Sequence, residues 1–154
     1  DMDDLDALIY KSVVIKNEIV MQDPTENGIR KALNFGHTLG HAIESYFLEN
    51  ENKTTLLHGE AIAVGMILEG YISLKKNLIN ESEFNQLKTT IKHLFDDIHF
   101  DDKDLEPIFD LLIHDKKNEY GNIQFALIDG IGKIKINQEV ESELINEAFA
   151  NYKS

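Results

Sequence analysis

The stretch Arg30-Lys31-Ala32-Leu33-Asn34-Phe35-Gly36-His37-Thr38-Leu39-Gly40-His41-Ala42-Ile43-Glu44 carries Arg30, Asn34, His37, His41 and Glu44 at spacings of four, three, four and three residues. On a helix turning about 100° per residue, these five side chains fall within about 40° of one line. The residues between and beyond them (Leu33, Phe35, Leu39, Ala42, Ile43, Tyr46, Phe47) are largely apolar. The pattern predicts a mostly buried helix over about 29–48 with a narrow seam of cation, amide, two imidazoles and a carboxylate. An ordinary solvated face would be filled with Lys and Glu. Histidines at i and i+4 sit one above the other on a helix and can share one metal ion. A third imidazole follows at His58, in His58-Gly59-Glu60, ahead of another apolar run. The seam is the predicted functional centre.

Working outward, Leu5, Leu8, Ile9, Val13, Ile15 and Ile19 give residues 3–22 a near-helical period. Asp23-Pro24-Thr25-Glu26-Asn27-Gly28 is a turn cluster. Residues 49–54 read as a polar, exposed loop. Residues 59–77 are apolar almost all round (Ala61, Ile62, Val64, Met66, Ile67, Leu68, Ile72, Leu74), the mark of a buried central helix. Asn80 with Glu83 resembles a capping box opening a helix to about 95. Another helix is expected over about 104–116. Residues 122–128 and 133–136 read as two strands around Asp129-Gly130-Ile131-Gly132, a small hairpin. A last helix over about 138–152 takes Asn137 as its candidate cap. There is no repeat, linker or low-complexity segment. The expectation is one mainly α, multi-helix domain over 1–154 with one small β-hairpin. Gly36 and Gly40, one turn apart, and Gly59, Gly65 and Gly70 each cost about 1 kcal/mol against Ala in a helix. Glycines so placed mark close approach of another backbone or a ligand.

Composition narrows the chemistry. A length of 154 residues supports a real core. The net charge of −13 repels phosphate backbones and argues against a nucleic-acid partner. No run of eighteen apolar residues is present, so no membrane span is expected. The acidic start, Asp1-Met2-Asp3-Asp4, is unlike a signal peptide. Cysteine is absent, so any metal must be held by imidazole, carboxylate or water. Together these features favour a cytoplasmic location. An acidic chain that binds an anion must gather its few cations at one place, and Arg30 sits on the histidine seam. A structural ion pair is the competing role for it.

The zinc-protease signature needs Glu after the first His of the pair; Thr38 stands there, which disfavours that class. His93, His99 and His114 lie in polar stretches and read as surface residues. Lys116 and Lys117, in Asp115-Lys116-Lys117-Asn118, suit a helix C-terminus electrostatically or a phosphate contact. Lys16, late in an apolar helical run, either snorkels to solvent or points into the site. Gly130-Ile131-Gly132 leads into a strand rather than a helix, so no dinucleotide fingerprint is present. There is no P-loop and no Gly-x-Ser-x-Gly motif.

The segment from Arg30 to Glu44, then Leu57-His58-Gly59-Glu60-Ala61-Ile62-Ala63-Val64-Gly65-Met66, closely resembles the 3-dehydroquinate synthase family. Asp115-Lys116-Lys117-Asn118 with Gly121 also fits. The resemblance runs over essentially the whole chain but covers only the helical C-terminal half of that family's enzyme. It therefore implies an N-terminal NAD-binding α/β domain with no counterpart in these residues, and a cut near the domain boundary.

The resemblance further implies closure of a phosphorylated sugar acid, 3-deoxy-arabino-heptulosonate 7-phosphate, into 3-dehydroquinate in the shikimate pathway, with NAD and a divalent metal, usually zinc. His37 and His58 match the two imidazole metal ligands; the third ligand is a glutamate upstream of this chain. His41 matches a proton-relay or substrate-contact histidine. Arg30, Asn34 and Lys16 match substrate contacts, Glu26 matches a site carboxylate, and one of Lys116 and Lys117 should reach the phosphate or carboxylate. These residues alone are expected to be inactive, with an apolar face open to self-association and a homodimer as one outcome. Two alternatives stand beside this reading. One is a metal-dependent alcohol or polyol dehydrogenase, or another sugar-phosphate cyclase, of the same fold. The other is a non-catalytic helical domain that packs or self-associates.

Overall fold

The computed structural model describes residues 2–114 and 123–154. Helix α1 spans Met2–Gln22, a 3-10 segment spans Ile29–Asn34, and α2 spans His37–Glu49. Helices α3 (His58–Lys75), α4 (Glu81–Leu94) and α5 (Asp102–His114) follow. Strands β1 (Gln124–Ile128) and β2 (Ile134–Glu139) and helix α6 (Ser142–Lys153) complete the described chain. The expected mainly helical architecture with one hairpin is what forms.

The centre is α3, which packs against α2, α4, α6 and β1. Its buried residues (Ala61, Ala63, Val64, Gly65, Ile67, Leu68, Gly70, Ile72) lie on every side of the helix, as its uninterrupted apolar composition predicts. Around it, Leu39, Ile43, Ile108, Leu127 and Ile145 are fully buried. Phe100 stands edge-on to Phe47, Phe149 and Tyr152 at ring-centroid distances of 5.8, 5.3 and 5.7 Å. Each aliphatic or aromatic side chain buried in this way contributes about 1.5–3 kcal/mol. The Asn80 capping box is present: the Glu83 N–H donates to Asn80 Oδ1 and the Asn80 N–H to Glu83 Oε2, both at 2.9 Å.

Three expectations change. First, residues 29–48 are not one helix. The 3-10 segment stops at Asn34, Gly36 takes a left-handed φ of +81°, and α2 begins at His37. Arg30 and Asn34 therefore leave the helical line that holds His37, His41 and Glu44. Periodicity could not reveal this break, because it is imposed by a residue on another helix (Glu69, below). Second, Asn137 does not cap the last helix. It lies inside β2 with φ +54°, where Ile136 and Asn137 face the single residue Ala126 and the register shifts between Phe125 and Leu127. Asn tolerates the left-handed region such a bulge demands, and β2 accordingly runs on to Glu139. Third, the polar loop after α2 is not wholly exposed. Lys53 Nζ donates to the fully buried Asp104 Oδ2 at 2.6 Å, and Asp104 Oδ1 also accepts from the Tyr46 hydroxyl at 2.6 Å. This network ties α2 and the loop to α5.

Helix α1 forms as expected, yet none of its residues is buried. Leu5, Leu8, Ile9, Val13 and Ile15 are exposed. Its main neighbour among the described elements is the 3-10 segment.

Candidate metal centre

The centre is built where α2 and α3 lie side by side. Gly36 faces Gly65 and Met66, and Gly40 faces Ala61 and Ile62, so the two helices run antiparallel. The contact is backbone on backbone. A Cβ on Gly65 would collide with the Gly36 carbonyl oxygen and stand 2.8 Å from Gly40 N; one on Gly40 would stand 3.1 Å from the Ala61 carbonyl oxygen. These are the close approaches that the glycine spacing predicted. Gly59 is the exception, with no atom within 4 Å of its would-be Cβ.

What starts α2 at His37 is Glu69, a residue of α3. It is completely buried, and its carboxylate accepts the Gly36 N–H at 3.1 Å and the Leu39 N–H at 3.3 Å. Two of the N–H groups that a helix N-terminus leaves unsatisfied are thus met from outside. Burial pushes the Glu69 carboxyl well above the usual carboxylate range, while these N–H bonds pull it down. Sequence reading passed over Glu69; the available signal was a single acid in the middle of the most apolar run of the chain.

His37 is the first residue of α2, His41 lies one turn later, and His58 is the first residue of α3. The His37 ring centroid is 5.2 Å from that of His41 and 5.7 Å from that of His58; His41 and His58 are 5.7 Å apart. One ligand nitrogen from each can be chosen so that all three lie within 4.8 Å of one another. His37 is half-buried, while His41 and His58 are exposed. The start of α3 is held by Glu60, whose carboxylate accepts the Leu57 N–H at 2.7 Å.

Hydrogen bonding settles which nitrogens remain. His37 Nδ1 is 3.1 Å from the Phe35 carbonyl oxygen. A carbonyl only accepts, so Nδ1 carries the proton and Nε2 of the neutral ring keeps its lone pair. His58 Nδ1 is 3.0 Å from Glu44 Oε2 in the same relation. The Nε2 atoms of His37 and His58, beside His41 at a site open to solvent on one side, suit a borderline divalent cation that keeps positions for substrate oxygens. The residues fit the metal that the sequence implied.

Of the remaining predicted residues, Glu26, Arg30 and Asn34 lie in the turn and 3-10 segment that lead into α2. Glu26 (φ +57°) and Asn34 are joined, Asn34 Nδ2 donating to Glu26 Oε1 at 2.6 Å. Arg30, the only arginine of the chain, donates from Nη1 to the Pro24 carbonyl at 2.9 Å. Asp23 organises this turn by accepting the N–H groups of Asn27, Gly28 and Arg30 at 3.0, 2.7 and 3.0 Å. The Gly28 bond first, with those from Asn27 and Arg30, holds the Asp23 carboxyl below its usual value. Sequence reading saw only a turn there. The segment is braced from the hairpin by Lys31, which donates to Asn137 Oδ1 at 3.0 Å. Lys16 stands exposed on α1, and His93, His99 and His114 are exposed as expected. Lys116 and Lys117 lie outside the described residues.

Comparison with known proteins agrees with the sequence motifs. The family described as 3-dehydroquinate synthase C-terminal matches residues 1–118. The 3-dehydroquinate synthase of Parabacteroides distasonis is 42% identical over 149 residues, covering 97% of this chain and 42% of the relative. That of a Sulfurovum species is 32% identical over 152 residues, covering 99% and 42%. The chain thus spans about two-fifths of the length of these curated relatives. Among solved structures, 2-deoxy-scyllo-inosose synthase in complex with carbaglucose-6-phosphate, NAD+ and Co2+ superposes with a TM-score of 0.77 at 30% identity, covering 97% of this chain and 41% of that one. A 2-epi-5-epi-valiolone synthase from Streptomyces hygroscopicus shares the fold, with a TM-score of 0.75 at 22% identity.

Proposed function

The chain belongs to the 3-dehydroquinate synthase C-terminal family, and from that premise we propose that it supplies the metal and substrate half of a 3-dehydroquinate synthase. In the complete protein the reaction is closure of 3-deoxy-arabino-heptulosonate 7-phosphate to 3-dehydroquinate with loss of phosphate. NAD is held mainly by a preceding α/β domain, and the enzyme works in the cytoplasm. The observation that carries this reading is the convergence of His37, His41 and His58 within 4.8 Å at the α2–α3 contact.

In this reading His37 and His58 hold the metal, with a carboxylate from outside this chain completing the set. When bound, the metal supplies Lewis acidity at the alcohol to be oxidised, and the nicotinamide supplies the hydride acceptor. His41, whose ring centroid is 5.2 Å from that of His37, receives or returns a proton at the substrate oxygens. Arg30, Asn34 and Lys16 bind the anionic groups and hydroxyls of the substrate, with Lys116 or Lys117 on its phosphate or carboxylate. Glu26, through its bond to Asn34, sets the amide so that a defined donor and acceptor face the substrate.

A second ligand set is favoured by one observation: His41 is as close to His58 as His37 is, at 5.7 Å. Three imidazoles would then hold the metal. Metal analysis of the complete protein separates the two. With two histidine ligands, His37→Ala and His58→Ala each lose zinc and His41→Ala keeps it. Equal loss in all three variants establishes the three-histidine set. The other cyclases of this fold give the alternative substrates, and phosphate release from the heptulosonate phosphate against glucose 6-phosphate tests the choice.

A further inference from the structure

Glu44 has no role in the reaction proposed above, yet it is bonded to one of the two proposed metal ligands. It lies on α2, three residues after His41, and reaches across to the first residue of α3, with Oε2 3.0 Å from His58 Nδ1. We infer that Glu44 is a positioning residue for the metal centre: it fixes the tautomer and ring orientation of His58, so that Nε2 is the nitrogen presented to the cation. The inference rests on the metal reading for His58.

The need for such a group follows from where His58 stands. As the first residue of its helix it has no preceding turn to restrict its ring, and its side chain is 56% exposed. A solvated imidazole divides between two tautomers and several rotamers, so an unsupported His58 would present the right nitrogen only part of the time. His37 does not face this problem to the same degree. It is half-buried, and the Phe35 carbonyl engages its Nδ1. The two proposed ligands thus share one pattern, an acceptor on Nδ1, but His37 draws its acceptor from backbone and His58 draws its own from a side chain. A hydrogen-bonded carboxylate behind a ligating imidazole both orients the ring and makes it a better donor.

Glu44 itself starts from a rigid point. Its neighbours on α2, Ile43, Tyr46 and Phe47, are buried in the core, and the glycine contacts fix α2 against α3. The bond therefore measures the helix-to-helix distance, and the side chain's length matters. Gln keeps both the reach and an acceptor oxygen; Ala removes the acceptor.

The experiment is zinc affinity by chelator competition in the complete protein for wild type, Glu44→Ala, Glu44→Gln and His58→Ala. It is paired with 15N NMR of the imidazoles in the metal-free protein and with thermal melts. Glu44→Ala is expected to weaken zinc binding roughly 10–100-fold, to lose the Nδ1–H tautomer preference of His58 alone, and to melt as wild type does. Glu44→Gln is expected to retain the tautomer and most of the affinity. Wild-type affinity in Glu44→Ala, when His58→Ala has lost zinc, overturns the inference and leaves the metal reading intact. Unchanged affinity in His58→Ala overturns both. Loss in Glu44→Ala and Glu44→Gln alike, to the level of His58→Ala, makes Glu44 a ligand rather than a positioning residue and overturns the inference.

Discussion

Gly65→Ala tests the claim that backbone contact between α2 and α3 places the histidines. The added methyl would collide with the Gly36 carbonyl oxygen and lie 2.8 Å from Gly40 N, so one helix must move. Overpacking of this kind costs about 1–3 kcal/mol, and the upper end applies because the obstacle is backbone and cannot rotate away. Ala returns about 1 kcal/mol through helix propensity. The net loss is about 2 kcal/mol, which in a chain of this size lowers the melting temperature by about 4–8 °C. Gly59→Ala is the matched control. It lies on the same helix with nothing within 4 Å, so propensity acts alone and adds up to about 1 kcal/mol. Urea and thermal denaturation of both variants, followed by zinc affinity, give the readout. The displaced α3 carries His58 away from His37 and His41, so Gly65→Ala should also bind zinc more weakly. A Gly65→Ala protein as stable and as metal-competent as wild type would refute the reasoning.

Three further outcomes are expected. Burial pushes the Asp104 carboxyl up, but bonds from Lys53 Nζ, the Tyr46 hydroxyl and the Asp101 N–H outweigh it and hold it below 3.8. Its contribution is therefore present above about pH 4 and lost as pH falls through the lower folded value. Lys53 is held above 10.5, chiefly by its bond to Asp104, so its contribution is lost as pH rises through that higher value. Asp104→Asn should cost about 3 kcal/mol at pH 7, by removing the 2.6 Å partner of a largely buried Lys53 and leaving it the longer, 3.5 Å contact to Asp101, and should flatten the acid limb of stability measured by urea titration from pH 7 to 3. Arg30→Ala in the complete enzyme should depress turnover by tenfold or more while the melting temperature moves little, because among the described residues the Arg30 side chain donates only to an exposed carbonyl, that of Pro24; unfolding with normal activity per folded molecule would make Arg30 structural. The 154 residues alone should fold but release no phosphate from the heptulosonate phosphate with NAD and zinc, since cofactor, metal and substrate cannot be held together by half a site.

Much of this molecule is legible in one dimension. Apolar periodicity located α1, because a helix face repeats every 3.6 residues whatever it packs against, and an all-round apolar run located α3. The Asn80–Glu83 box could be read directly, since a cap is a contact between residues three apart. The His37–His41 pair and His58 were visible as residue types rare on a solvated face, and the glycines as positions too costly to be accidental.

What sequence alone determined is therefore what neighbours along the chain decide: which segments are helical, where the chemistry-bearing residues stand, and that Gly36, Gly40 and Gly65 mark a close contact. Tertiary structure decided the rest. The break at Gly36 exists because Glu69, thirty-three residues away, caps α2 from inside the core. The bulge at Asn137 exists because β2 must keep register with β1. The role of Lys53 depends on Asp104 of α5, and that of Glu44 on His58 of α3. The exposure of the α1 apolar face was likewise a tertiary matter, since periodicity shows that a helix has an apolar side but not what covers it. In each case the deciding interaction joins residues far apart in sequence. No local pattern records it, because the partner is chosen by packing rather than by spacing.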